Sequence, residues 1–156
     1  MSEPYEEILG GEVWLRMPPG ARHEQVCDRL HGRVAGSLEG GSTIRLLPRR
    51  TIIQVKTGTL LRPDLALVET ATGKLWLAAE VISSEDHRPD TVTKKALYEE
   101  INLPRLWMVD PRYHNVEVYH AGAYGLALKT ILAGQEMLEE MLLPMLRLTM
   151  AELFAA

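Results

Sequence analysis

The 156-residue sequence predicts an α/β fold, a mixed β-sheet flanked by α-helices. Three observations predict it. Short β-branched or alternating runs recur along the chain. Two segments carry apolar residues at helical spacing instead. Between them, Leu75 to Ile82 is almost continuously apolar, as a central strand buried on both faces is. No repeat, low-complexity tract or linker interrupts the chain, so one domain over residues 1–156 is expected.

The elements follow in order. Tyr5 to Met17 holds a Gly10-Gly11 pair between two apolar runs and reads as a hairpin. Pro18-Pro19-Gly20 ends it. Val26, Leu30, Val34 and Leu38 recur every fourth residue and predict a helix from Ala21 to Leu38, stopped by Gly40-Gly41. From Thr43 to Val68 the pattern turns to strands: Thr51 to Val55, a turn at Lys56 to Thr59, then Leu65 to Val68. A turn at Thr72-Gly73 leads into Leu75 to Ile82. After a polar loop, a helix is expected from Asp90, its N-cap, to about Asn102. Leu106 to Val109 and Val116 to Tyr119 read as two strands joined by a turn-rich connection. The last 25 or so residues look helical, with Met137, Met141, Met145 and Met150 as adaptable packing and Pro144 as a break.

Composition narrows the function. A hydrophobic content of 46% with 24% charged residues is that of a globular protein with a core. One cysteine excludes a disulfide framework and any multi-cysteine zinc site. No apolar run is long enough to span a bilayer, and the acidic opening resembles neither a secretory nor a transit signal, so a cytoplasmic protein is expected. The net charge of -4 argues against a general nucleic-acid binder. Yet Gly40 to Pro63 holds no acid and five cations: Arg45, Arg49, Arg50, Lys56 and Arg62. Such a stretch fits a phosphate-facing hairpin or a solvated sheet edge.

The chemistry-bearing oddity is Glu80, inside an apolar strand. Strand alternation puts it on one face with Trp76, Ala78 and Ile82. An ionised carboxylate there costs several kcal/mol unless compensated. One compensation is an arginine at the strand end. The other is a hard divalent cation shared with Asp64, which begins the preceding strand. Those two strands are joined by a short turn and so should pair. Mg²⁺ takes one or two carboxylates and keeps waters for substrate oxygens. On the helix, Asp90, Lys94 and Tyr98 are spaced i, i+4, i+8 beside Leu97 and Ile101, so Lys94 points inward. Near two acids it could orient a water or stabilise a phosphate; alternatively its stem packs and its amine reaches solvent. Cys27 reads as a small buried residue, His114 and His120 lack a ligand cluster, and no Gly-rich phosphate loop is present.

Pro63-Asp64, Glu80-Val81-Ile82-Ser83, Asp90-x-x-x-Lys94-x-x-x-Tyr98, Trp107-x-Val109-Asp110-Pro111 and Val116-x-Val118-Tyr119 together resemble the Uma-type putative restriction endonuclease family of the PD-(D/E)XK nuclease superfamily. Glu7 to Glu12 is similar to the family's opening hairpin, and Met17-Pro18-Pro19 with His23 to the start of its first helix. The resemblance covers residues 5–120 well and the C-terminus loosely. It implies a restriction-endonuclease-like fold that hydrolyses DNA phosphodiesters with Mg²⁺ or Mn²⁺. Asp64 and Glu80 would be metal ligands, with the Val81 carbonyl a further one. The superfamily's usual lysine position is Ile82 here, and Lys94 matches its migrated counterpart. Glu7 matches an acid that completes the metal shell, with Glu12 as the other candidate. His23, Asp90 and Tyr98 match recurrent positions without a derived role.

On this reading DNA is the partner, and a homodimer is plausible because two strands need two sites and the Met-rich C-terminus is apolar. Glu80→Ala is expected to abolish metal binding and cleavage while leaving the fold intact or stabilised, because it removes a buried charge. The rival is a non-catalytic module, a nuclease fold retained for binding nucleic acid or protein.

Overall fold

The computed structural model describes residues 3–83 and 89–156, apart from the side chains of residues 89 and 90. The opening hairpin forms as expected. β1 (Tyr5–Leu9) pairs with β2 (Glu12–Arg16) in the register Leu9↔Glu12. Gly10 and Gly11 have φ of 60° and 82°, the doubly positive turn that matches strand twist. α1 (Ala21–Ser37) follows, burying Val26, Leu30 and Val34 on one stripe. β3 (Ile44–Leu46), β4 (Ile53–Lys56), β5 (Thr59–Leu61), β6 (Leu65–Glu69) and β7 (Leu75–Val81) complete the first half. A π-helical turn (Pro89–Thr93) runs into α2 (Lys94–Glu100), so Asp90 stands within the turn rather than capping a helix, and its side chain lies outside the described residues. β8 (Arg105–Asp110), β9 (Asn115–Gly122) and β10 (Gly125–Ala133) follow.

These strands make a four-stranded sheet, β2-β1-β5-β4, and a six-stranded mixed sheet, β10-β9-β8-β7-β6-β3. The mixed sheet carries one parallel pair, β7 with β8, and α2 lies on the crossover between them. The α/β class with a mixed sheet and flanking helices is therefore the one expected. No helix among the described residues is long and apolar enough to cross a membrane.

Alternation on β7 and β8 splits the core in two. Leu77, Ala79, Val81, Trp107 and Val109 pack toward α1. Ala78, Ile82, Leu106 and Met108 pack on the other face with Leu97 and Tyr98 of α2 and with Leu9 and Leu61. Trp76 departs from the expected face and joins the α1-side core. The β6–β7 register shifts between Leu67 and Val68, leaving residue 76 as the extra one, and an extra residue reverses strand parity.

The C-terminus corrects the sequence-based expectation more strongly. In place of a long helix, β11 (Met137–Glu140) and β12 (Leu143–Thr149) form a hairpin, and only α3 (Met150–Leu153) is helical. Leu146, Leu148 and Met150 are buried at period two, whereas Met141 and Met145 are exposed. The i+4 methionine spacing is coincidental there, and Pro144 is compatible with a short strand but not a helix interior. α1 packs on β12 and caps this core. α3 is held by a reciprocal Thr149–Glu152 capping box.

Candidate functional site

The end of β7 is where α1, α2, the hairpin and β6 meet. β6 and β7 pair antiparallel through Leu65↔Ala79, so one step further Asp64 stands across from Glu80. Asp64 Oδ2 accepts the Val81 backbone N–H at 2.8 Å, which fixes the carboxylate beside the strand. His23, in the first turns of α1, meets the Val81 carbonyl oxygen through Nε2 at 2.7 Å. A carbonyl only accepts, so Nε2 carries the proton.

Glu80 is 2% exposed, so solvent does not balance its charge. Lys94 Nζ donates to its Oε1 at 2.8 Å and the Tyr98 hydroxyl to its Oε2 at 2.6 Å. One turn of α2 separates Lys94 from Tyr98, so one helix face supplies both donors. Lys94 also lies 2.9 Å from Glu7 Oε1. Glu7 accepts Arg16 Nε at 2.7 Å and the Arg62 backbone N–H at 2.7 Å. Burial alone would raise the Glu7 pKa, but Lys94, the Arg62 N–H and Arg16 outweigh it and hold the carboxyl below its usual range. Burial, with Glu80 as charge and acceptor, pushes the Tyr98 hydroxyl well above its ordinary value, so it remains a donor.

Asp64, Glu80, Val81 and Lys94 line a cavity of about 20 Å³, together with Tyr5, Arg16 and His23. That is room for about one water or one ion. Asp64 Oδ1 is buried and accepts no hydrogen bond among the described residues; Arg50 Nε lies 3.5 Å away. Two carboxylates and a backbone carbonyl form an all-oxygen donor set of the kind hard divalent cations take. A wider groove of about 580 Å³ opens beside it, lined by Met17, Pro18, Arg22, His23, Ser83 and Arg112 among others.

Thus the structure brings Glu7, Asp64, Glu80, Val81, Lys94, Tyr98 and His23 to one end of one strand, while Glu12 stays exposed on β2. Sequence reasoning missed Arg16. The two-residue turn sets Glu7 and Arg16 diagonally on one hairpin face, a relation legible once the register is fixed. It also missed Arg50, whose guanidinium stacks 5.4 Å over the Tyr5 ring and faces Asp64. The basic stretch is largely paired within the molecule: Arg49 and Arg50 with Glu24, Arg49 with Asp28, Lys56 with Glu100.

A family model described as "Uma2: Putative restriction endonuclease" matches residues 2–151. No curated protein matches the sequence. Among solved structures, a crystal structure described as a putative nuclease belonging to DUF820 from Anabaena variabilis is similar to this chain at a TM-score of 0.82 and 13% identity, over 99% of this chain and 92% of that one. At that identity the likeness is one of fold.

Proposed function

The chain belongs to the Uma2 family, and from that premise we propose that it hydrolyses DNA phosphodiester bonds with a divalent cation, Mg²⁺ or Mn²⁺, at the end of β7. The observation that carries the reading is the Lys94–Glu80 contact at 2.8 Å beside Asp64, around a cavity of about one ion's size. Asp64, Glu80 and the Val81 carbonyl would hold the ion. Bound there, it would polarise a phosphoryl oxygen and lower the pKa of a water.

The chain's own residues do the rest. Lys94 supplies a fixed positive charge toward the water or the phosphate. Tyr98 and Glu7 hold Glu80 and Lys94 in place, and His23 orients the Val81 carbonyl. The adjoining groove, with Arg22 and Arg112 on its rim, would receive the sugar–phosphate strand. A homodimer would align two such sites on two strands. The edge strand β2 exposes Val13 and Leu15, and the C-terminal hairpin exposes Met141 and Met145, as surfaces for it. Sedimentation as a monomer at micromolar concentration would remove the dimer and leave the site unaffected.

The test is plasmid cleavage with Mg²⁺ or Mn²⁺, with and without a chelator. The expected result is chelator-sensitive nicking that Glu80→Gln lowers on the order of 100-fold or more. Equal cleavage by parent and variant would refute the site. The non-catalytic binding module has one observation in its favour: both Glu80 oxygens already have donors, so the network is balanced without an ion. That reading expects no divalent-ion binding at all.

A further inference from the structure

Cys27 is the chain's one cysteine, and it is buried one helical turn after His23. Residues four apart share a helix face, and here their side chains meet: Cys27 Sγ lies 3.6 Å from His23 Nδ1. The other ring nitrogen donates to the Val81 carbonyl, so Nδ1 presents its lone pair toward the sulfur. Metal-binding histidines are oriented in this way, with the free N–H given to a carbonyl or carboxylate. In a tetrahedral zinc site, bonds of about 2.3 Å to sulfur and about 2.0 Å to nitrogen set those two ligand atoms about 3.6 Å apart. The observed pair already has that separation.

Asp64 closes a third side. One ligand atom each from His23, Cys27 and Asp64 lies within 4.8 Å of the others, and all three residues are buried. Among the described residues Asp64 Oδ1 accepts no hydrogen bond and has only the Arg50 guanidinium 3.5 Å away, so a closer cation would satisfy a costly buried group.

We propose that His23, Cys27 and Asp64 form a thiophilic metal site that takes Zn²⁺ or Cd²⁺, with water in the remaining position. Binding replaces the Cys27 S–H bond with an S–metal bond and releases the proton to solvent; no electron is transferred. One thiolate and one carboxylate then neutralise the two positive charges of the ion. Mg²⁺ has no use for the thiol or the imidazole, so ligand softness separates this site from the all-oxygen one. Asp64 is common to both, and where the reading of Asp64 as an Mg²⁺ ligand holds, Zn²⁺ here also withdraws that acid.

The experiment is titration of the intact protein with Cd²⁺, followed by thiolate-to-metal charge-transfer absorption in the near ultraviolet. One equivalent should saturate the band in the parent. Cys27→Ala should abolish it, and His23→Gln and Asp64→Asn should each weaken binding by roughly tenfold or more. Glu80→Gln should keep the band, which separates this site from any failure of the nuclease reading. Zn²⁺ should also raise the Tm of the parent reversibly, a readout that needs no variant. Absence of the band in the parent overturns the proposal. So does an affinity unchanged by His23→Gln and Asp64→Asn, which would mark a lone thiol.

Discussion

Glu80 and Glu140 are both buried carboxylates on strands, and among the described residues each meets a cation and an aromatic donor. Lys94 and Tyr98 serve Glu80 at 2.8 and 2.6 Å. Arg105 Nε and Trp107 Nε1 serve Glu140 at 3.0 and 3.2 Å. By the cost of burying charge the two are alike. Their surroundings differ. Glu140 is one acid under Arg105 and Trp107, with His120 3.9 Å away. Glu80 stands across from Asp64, shares its lysine with Glu7, and faces a cavity lined by Asp64 and the Val81 residue that follows it. A compensated buried acid is thus an ordinary structural device. Acids from separate strands converging on a small cavity are what mark a site.

The contrast can be broken most directly by paired amide substitutions. Glu80→Gln should lower metal-dependent cleavage on the order of 100-fold or more, while Glu140→Gln leaves cleavage near the parent level in the same plasmid assay. Next in size is Lys94→Ala. It strips the shared cation from Glu7 and Glu80 and should cost about 3–5 kcal/mol in urea unfolding. Arg105→Ala should cost less, because Arg105 is partly exposed and Trp107 still donates to Glu140. The same reasoning revises the expectation for Glu80→Ala: with Lys94 and Tyr98 buried against it, truncation should destabilise, and Glu80→Gln is the cleaner probe.

Tyr98→Phe comes third. It removes one donor from Glu80 and should cost about 1–3 kcal/mol by the same unfolding measurement. The smallest effect is in pH. The Tyr98 hydroxyl is raised in the folded state above its ordinary 10.0, so its contribution is full below that pH and is lost as pH rises toward the folded value. The Glu7 carboxyl is lowered from 4.5, so its contribution is present above that pH and is lost as pH falls through the folded value. Tm measured against pH should therefore fall at both ends, and Tyr98→Phe should flatten part of the alkaline limb. An unchanged alkaline limb would mean that Tyr98 is not held protonated by Glu80.

Much of this was legible in the sequence because it depends on local pattern. The Gly10-Gly11 hairpin, the α1 stripe and the apolar β7 run each announce their element, and a lone Glu80 in that run announces a partner. The inward turn of Lys94 follows from helical spacing beside Leu97. What local pattern does not carry is long-range register. Trp76 changes face at a bulge set by its pairing with β6. Met137, Met141 and Met145 mimic a helix where burial by α1 selects a strand hairpin. Arg49 and Arg50 read as free cations until α1 brings Glu24 beside them. Glu7 and Arg16 could have been paired from the turn length, but their meeting with Lys94 needed two sheets and a helix to converge.

The central claim is that Asp64 and Glu80 hold one divalent ion at the end of β7. Mn²⁺ titration calorimetry on the parent and on Asp64→Asn tests it most directly. The account predicts one ion per chain in the parent and loss of that binding in Asp64→Asn, with Glu140→Gln binding like the parent. No binding by the parent, or equal binding by parent and Asp64→Asn, would contradict it.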